Sequence, residues 1–99
     1  MPYPNEHACR LRDPDDFAPG SFRSVRRMHG SRPYRVIMGK LRERSGPGDP
    51  MLEQTYRYPV AAWTVDEARA HCREHGGVRF EAAVRSPEEL PNDRARGAR

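Results

Sequence analysis

Apolar residues recur along the chain in two different periods. Residues 34–41 have a β-branched and apolar centre, and residues 52–58 alternate apolar and polar positions, as strands do. The stretch between them, residues 42–50, is rich in Pro and Gly and interrupts any strand. The two strands are therefore predicted to form an antiparallel hairpin. Residues 78–84 alternate again and predict a third strand.

The helical period appears between the second and third strands. Thr64 precedes this segment and Glu67 follows three positions later, which is the spacing of a capping box. Two glycines at positions 76–77 are typical of a helix end. We therefore predict a capped helix over about residues 65–75. At 100° per residue, four side chains of this helix fall within one arc, and they are Val65, Ala68, Cys72 and His75. His71 lies at the flank of this arc.

The two ends of the chain carry weaker patterns. Residues 1–20 are rich in Pro and Asp and are predicted to be an irregular arm that contains one short extended piece, residues 7–11. Residues 21–28 place apolar side chains at i, i+3 and i+6, which suggests a short helix ended by Gly30. Residues 86–99 are polar and are predicted to be a disordered tail. A single domain over residues 21–85 remains.

These elements define an α+β fold. The expected order is β-β-α-β, with the capped helix packed on one face of a small antiparallel sheet. The predicted core consists of Val36, Met38 or Ile37, Leu52, Tyr56, Tyr58, Trp63, Val65, Ala68, Cys72, Phe80 and Val84.

Composition limits the size of this core and the range of functions. The chain has 99 residues, of which 35% are hydrophobic and 32% charged, so it forms at most one domain. The sequence contains no nucleophile-elbow, phosphate-loop or zinc-protease motif, and we expect no enzymatic activity. The chain also has no apolar run of the roughly 20 residues that span a membrane, and its first residues do not resemble a signal peptide. We therefore expect a cytoplasmic protein.

The net charge of +4 is concentrated in one stretch. Residues 20–48 contain one acidic residue, Glu43, among many basic ones, and a basic patch can attract phosphate. This stretch is the candidate nucleic-acid-binding segment, and its basic residues are Arg23, Arg26, Arg27, Arg32, Arg35, Lys40, Arg42 and Arg44.

Histidine and cysteine provide a candidate metal site, although we expect no cofactor. Zinc prefers nitrogen and sulfur ligands, and a bound metal would help so small a core. The alternative is that Cys72 packs in the core and His75 at the helix end. In a cytosolic protein both thiols should be reduced, since disulfides persist in oxidising compartments, and a disulfide between Cys9 and Cys72 is the less favoured alternative. The candidate ligands are His7, Cys9, His71, Cys72 and His75.

Two segments together carry a family resemblance. They are residues 5–14, with the sequence NEHACRLRDP, and residues 56–76, which contain YRYP, WTVDEARAHC and HG. The chain resembles small conserved segments of tailed-phage and prophage proteins that lie near head-assembly genes and beside prohead proteases. The resemblance implies a phage origin and a place near head morphogenesis. It transfers no catalytic residue, because the chain is too short for a protease fold.

The resemblance and the residues lead to two main hypotheses of different classes, and a small zinc-stabilised module is a third, less favoured one. The first is a non-catalytic phage accessory module that binds another protein, such as a capsid component or a host factor, in the host cytoplasm or on the virion. A sheet edge and the Pro-rich arms would provide its contacts. The second is a nucleic-acid-binding module that uses residues 23–44. The sequence does not indicate an oligomeric state.

Overall fold

The computed structural model describes residues 4–84, which form a five-stranded antiparallel sheet and one α-helix. The strand order is β2-β3-β4-β1-β5, and every neighbouring pair is antiparallel. The predicted α+β class is therefore confirmed. The predicted tail, residues 86–99, lies outside the described residues. The elements are β1 (Glu6–Arg10), β2 (Arg23–His29), β3 (Arg32–Gly39), β4 (Leu52–Pro59), α1 (Val65–Glu74) and β5 (Arg79–Glu81).

Strand β1 corrects the prediction of an irregular N-terminal arm, because the segment that was expected only to be extended is a paired strand of the sheet. It lies inside the sheet, where it pairs with β4 on one side and with β5 on the other. His7 and Cys9 point into the core and are 3% and 0% exposed. A five-residue strand carries little periodic signal, and its partners lie more than forty positions away in the chain. Its place in the sheet therefore depends on contacts that a local pattern does not record.

Strand β2 replaces the short helix that was predicted over residues 21–28. The three apolar residues that suggested a helical face are Phe22, Val25 and Met28, and they are 38%, 41% and 54% exposed. Because these three side chains do not form a buried face, their spacing is not evidence of a helix. The segment instead forms a hairpin with β3, and Gly30 in the turn has a φ of +61°, which glycine adopts without strain.

The hairpin of β3 and β4 agrees with the sequence prediction. The two strands pair from Arg35 opposite Arg57 to Gly39 opposite Leu52, with a bulge between Ile37 and Met38. The connecting loop is long, so the register depends on which side chains are buried rather than on the turn.

Helix α1 begins with the predicted capping box. The Glu67 amide donates to Thr64 Oγ1 at 3.1 Å, and the Thr64 amide donates to Glu67 Oε1 at 2.9 Å. The helix ends at Glu74, one residue before the predicted boundary, and Gly76 follows with a φ of +79°. Short-range hydrogen bonds therefore define both ends of this element.

The core lies between α1 and one face of the sheet. It consists of Cys9, Tyr34, Val36, Tyr56, Tyr58, Trp63, Ala68 and Cys72, with Met38 and Phe80 packed against it. Most of the predicted core is therefore present, but Val84 was wrongly included and is 48% exposed. Strand β5 ends at Glu81, so the alternation that was read through residues 78–84 does not continue along the sheet.

A disulfide bond joins Cys9 on β1 to Cys72 on α1, which corrects the expectation of two reduced thiols. The two Cα atoms lie 5.5 Å apart, although the residues are separated by 63 positions in the chain. Gly77 allows this arrangement, because a Cβ at that position would lie 2.5 Å from Cys9 Sγ and 2.9 Å from the Cys72 carbonyl oxygen. The bond attaches the helix to β1, an interior strand of the sheet.

No helix within residues 4–84 has the length and apolar character needed to cross a membrane.

Candidate functional site

The two faces of the sheet differ in chemistry. Helix α1 covers one face, and the tyrosines of β3 and β4 are buried beneath it. The opposite face, called the open face below, has no helix packed on it among the described residues. The strand register aligns its side chains in two rows across all five strands. One row is Arg26, Arg35, Arg57, Ala8 and Glu81, and the next is Ser24, Ile37, Thr55, Arg10 and Arg79.

Arginine dominates the charge of the open face. The two rows contain five guanidinium groups, and two carboxylates, Glu6 and Glu81, lie among them. Glu6 contacts Arg35 at 3.0 Å and Arg57 at 3.5 Å, and Glu81 contacts Arg79 at 3.1 Å. The open face therefore carries more positive than negative charge and is suited to an anionic ligand.

The predicted basic segment does not form one surface. Arg26 and Arg35 lie on the open face, but Arg23 and Arg27 point to the other side of β2. Several of the remaining cations are bound within the fold. Arg27 pairs with Glu53, Arg32 with Glu67 at 2.9 Å and Arg44 with Asp49 at 3.7 Å, while Lys40 donates to the Gly46 carbonyl at 2.6 Å and Arg42 to the Asp15 carbonyl at 2.7 Å.

Three arginines of the open face were missed from the sequence. Arg10, Arg57 and Arg79 lie on β1, β4 and β5, and none of them belongs to the basic stretch. Their positions in alternating strands were the only signal in the sequence, and that signal does not say which strands are neighbours. The pairing of β1 between β4 and β5 brings them together.

These three arginines line a pocket of about 220 Å³ on the open face. Ala8 lies at its centre, because it is directly opposite Arg57 on one side and Glu81 on the other. The methyl side chain of Ala8 leaves space that its larger neighbours surround.

The outer edge of β2 is a second exposed surface. This strand is seven residues long and pairs only with β3 among the described strands. Its outer backbone groups are therefore available to another strand. Val25 and Met28 add exposed apolar surface, and Arg23 and Arg26 add positive charge.

His71 lies in the middle of an aromatic cluster beneath α1. It is 3% exposed, whereas His75, which the helical arc had placed toward the sheet, is the C-cap residue and is exposed. His71 Nδ1 lies 2.8 Å from the Tyr58 hydroxyl, and the rings of His71 and His75 stack with centroids 4.0 Å apart. Burial, with a smaller contribution from the charges of His75 and His29, lowers the pKa of His71 to about 4. His71 is therefore a neutral core residue at pH 7.

The five candidate zinc ligands do not come together as one set. Both sulfur atoms are used in the disulfide bond. His7 accepts a hydrogen bond from the Ala83 amide at 2.9 Å through Nδ1, and its Nε2 lies 3.2 Å from the Trp63 carbonyl oxygen. Within residues 4–84 there is no group of three or more side chains placed to bind a metal ion.

The buried tyrosines are held by polar contacts on the helix side. The Tyr56 hydroxyl donates to Glu53 Oε1 at 2.6 Å, and Arg27 pairs with the other carboxylate oxygen. Burial alone would raise the pKa of Glu53, but the hydrogen bonds from Tyr56 and Arg27 outweigh it and hold that pKa below its usual range. Because these rings are enclosed, they provide no exposed surface on which nucleic-acid bases can stack.

No protein-family model, curated protein or solved structure matches the chain. We therefore infer function from the two exposed surfaces described above, the open face and the outer edge of β2.

Proposed function

We propose that this chain is a non-catalytic module that binds an extended, acidic segment of a protein partner along the outer edge of β2. The observation that carries the proposal is the length of this exposed edge. Seven residues pair on one side only among the described strands, and β-strand addition uses such an edge. The main-chain hydrogen bonds of the added strand provide affinity, and its side chains provide specificity.

Charge favours an acidic partner over a second copy of this chain. If two β2 strands paired antiparallel about Arg26, the two Arg26 side chains would lie directly opposite each other, and Arg23 would lie opposite His29. Like charges in directly opposite positions destabilise a strand pair. An acidic strand instead meets Arg23 on one face of β2 and Arg26 on the other, while Val25 supplies apolar contact.

The family resemblance supports a partner in phage head morphogenesis. Similar segments lie in tailed-phage and prophage proteins, so the proposed partner is a capsid component or a host factor, met in the host cytoplasm or on the virion. The identity of the partner is inferred from the resemblance, whereas the location of the binding surface is inferred from the exposed edge of β2.

A pull-down from phage-infected cells tests the proposal. The edge variant carries Arg23→Glu and Val25→Glu, and the matched control carries Arg73→Glu and Val78→Glu, two exposed positions away from β2. We expect the native chain and the control to recover a capsid or portal protein, and the edge variant to lose it. Equal recovery by both variants would exclude the β2 edge as the binding surface.

Nucleic-acid binding is the second candidate function, and the arginine row of the open face favours it. Arg26, Arg35 and Arg57 lie on adjacent strands, which are spaced about 4.8 Å apart, and can follow a phosphate backbone. Binding without base stacking should depend steeply on salt, because it releases counterions. An anisotropy titration with single-stranded DNA at two salt concentrations tests this candidate. No binding at the lower concentration would remove it.

A further inference from the structure

Among residues 4–84, the pocket on the open face is lined by three guanidinium groups and one carboxylate, so this lining carries an excess of positive charge. Arg10 lies directly opposite Arg79 in the register of β1 and β5, where Cβ atoms are about 4.5–5.5 Å apart. Two like charges at such positions repel each other. The Arg10 side chain makes no hydrogen bond or ion pair with any residue in the range 4–84, so no partner in that range offsets this repulsion at Arg10.

Of the described residues, Glu81 is the only carboxylate that lines the pocket. Glu81 contacts Arg79 at 3.1 Å, and Glu6, which lies two residues before Ala8 on β1, contacts Arg57 at 3.5 Å. Three guanidinium groups therefore surround Ala8 with one acidic side chain among them. Any anion that enters the pocket can contact more than one guanidinium group.

We propose that this pocket, centred on Ala8 and lined by Arg10, Arg57 and Arg79, binds a phosphate group. Guanidinium groups form planar, bidentate hydrogen bonds with phosphate oxygens. Three converging guanidiniums suit a tetrahedral dianion better than a carboxylate, which offers only two oxygens. The volume of about 220 Å³ equals that of roughly seven water molecules, so a phosphate group fits with part of its hydration.

The site is separate from the partner surface proposed above. The pocket lies over β4, β1 and β5, whereas the partner strand adds to β2 at the opposite side of the sheet. Loss of either site therefore leaves the other intact, and their failures can be distinguished. The phosphate comes either from the free anion or from a phosphomonoester.

Nuclear magnetic resonance titrations at constant ionic strength test the proposal, with inorganic phosphate and O-phosphoserine as the two probes. We expect saturable shifts at the amides of residues 8, 10 and 79 with at least one probe, and the tighter probe identifies the source of the phosphate. Ala8→Leu fills the pocket without changing any charge and should weaken binding at least tenfold. Arg79→Gln should weaken it to a similar extent, and this exposed position leaves the core intact.

Arg26→Gln is the matched control, because it removes one charge from the same open face outside the pocket. It should change the affinity by less than twofold, whereas Glu81→Gln should strengthen binding by removing the competing carboxylate. The absence of saturable shifts with both probes would overturn the proposal. Equal weakening by Arg26→Gln and Arg79→Gln would also overturn it, because binding would then follow the general charge of the face.

Discussion

Reduction of the bond between Cys9 and Cys72 should strongly destabilise this protein. The bond connects the interior strand β1 to α1, and its two cysteines are 0% and 3% exposed. In the unfolded chain, the bond between Cys9 and Cys72 closes a covalent loop that restricts the available conformations. Reduction opens this loop and therefore stabilises the unfolded state relative to the folded one.

The size of the effect follows from the length of the closed loop. The cysteines are 63 positions apart, and the chain-entropy relation gives about 4 kcal/mol for a loop of that length at 25 °C. For a domain of this size, each kcal/mol corresponds to about 4–8 °C in melting temperature. Reduction should therefore lower the melting temperature by roughly 15–30 °C.

Thermal denaturation with and without a phosphine reductant measures this difference. Because the bond is buried, the protein should be unfolded in denaturant, reduced and then refolded, and the mass spectrum should confirm a gain of two hydrogen atoms. A Cys9→Ala/Cys72→Ala variant is the control. Its melting temperature should lie near that of the reduced protein and should not respond to reductant.

Two results would refute this reasoning. Two free thiols in the protein purified without reductant would show that the bond does not form. A melting temperature that stays the same after complete reduction would show that the cross-link does not stabilise the fold by restricting the conformations of the unfolded chain.

Three further predictions concern the core and the helix. Gly77→Ala should cost about 1–3 kcal/mol in urea denaturation, because the new Cβ would lie 2.5 Å from Cys9 Sγ, whereas Gly48→Ala meets nothing within 4 Å and should not destabilise the fold. Stability should fall as the pH decreases from about 6.5 to 4, by up to about 3 kcal/mol, because the pKa of His71 is lowered to about 4 in the folded state and protonation therefore favours unfolding. A His71→Asn variant should lose this part of the pH dependence in melting curves, and an unchanged profile would contradict the assignment. Thr64→Ala should cost about 1 kcal/mol by removing the cap of α1, and a change below the error of the denaturation midpoint would contradict its role.

Local signals were sufficient for the elements whose contacts are close in the chain. The capping box of Thr64 and Glu67 spans three positions, and the β3–β4 hairpin joins strands that follow one another. The local sequence of these segments was therefore sufficient to predict the helix start and the strand pairing. The same local reasoning failed at β2, where the spacing of Phe22, Val25 and Met28 resembled a helical face although the side chains are exposed.

The candidate sites depended on contacts between distant parts of the chain. Arg10, Arg57 and Arg79 share a pocket only because β1 inserts between β4 and β5. Nothing near Arg10 in the sequence indicates Arg79 as its neighbour, and the basic stretch that composition highlighted is divided between two faces of the sheet and several internal ion pairs.

The sequence by itself determined the fold class, the capped helix, the central hairpin and most of the core, because hydrophobic periodicity and capping act within a few residues. Only the tertiary structure decided the position of β1, the disulfide bond and the composition of the open face. Strand pairing joins residues up to about seventy positions apart, and each pairing is selected by the burial of the whole sheet rather than by either strand alone.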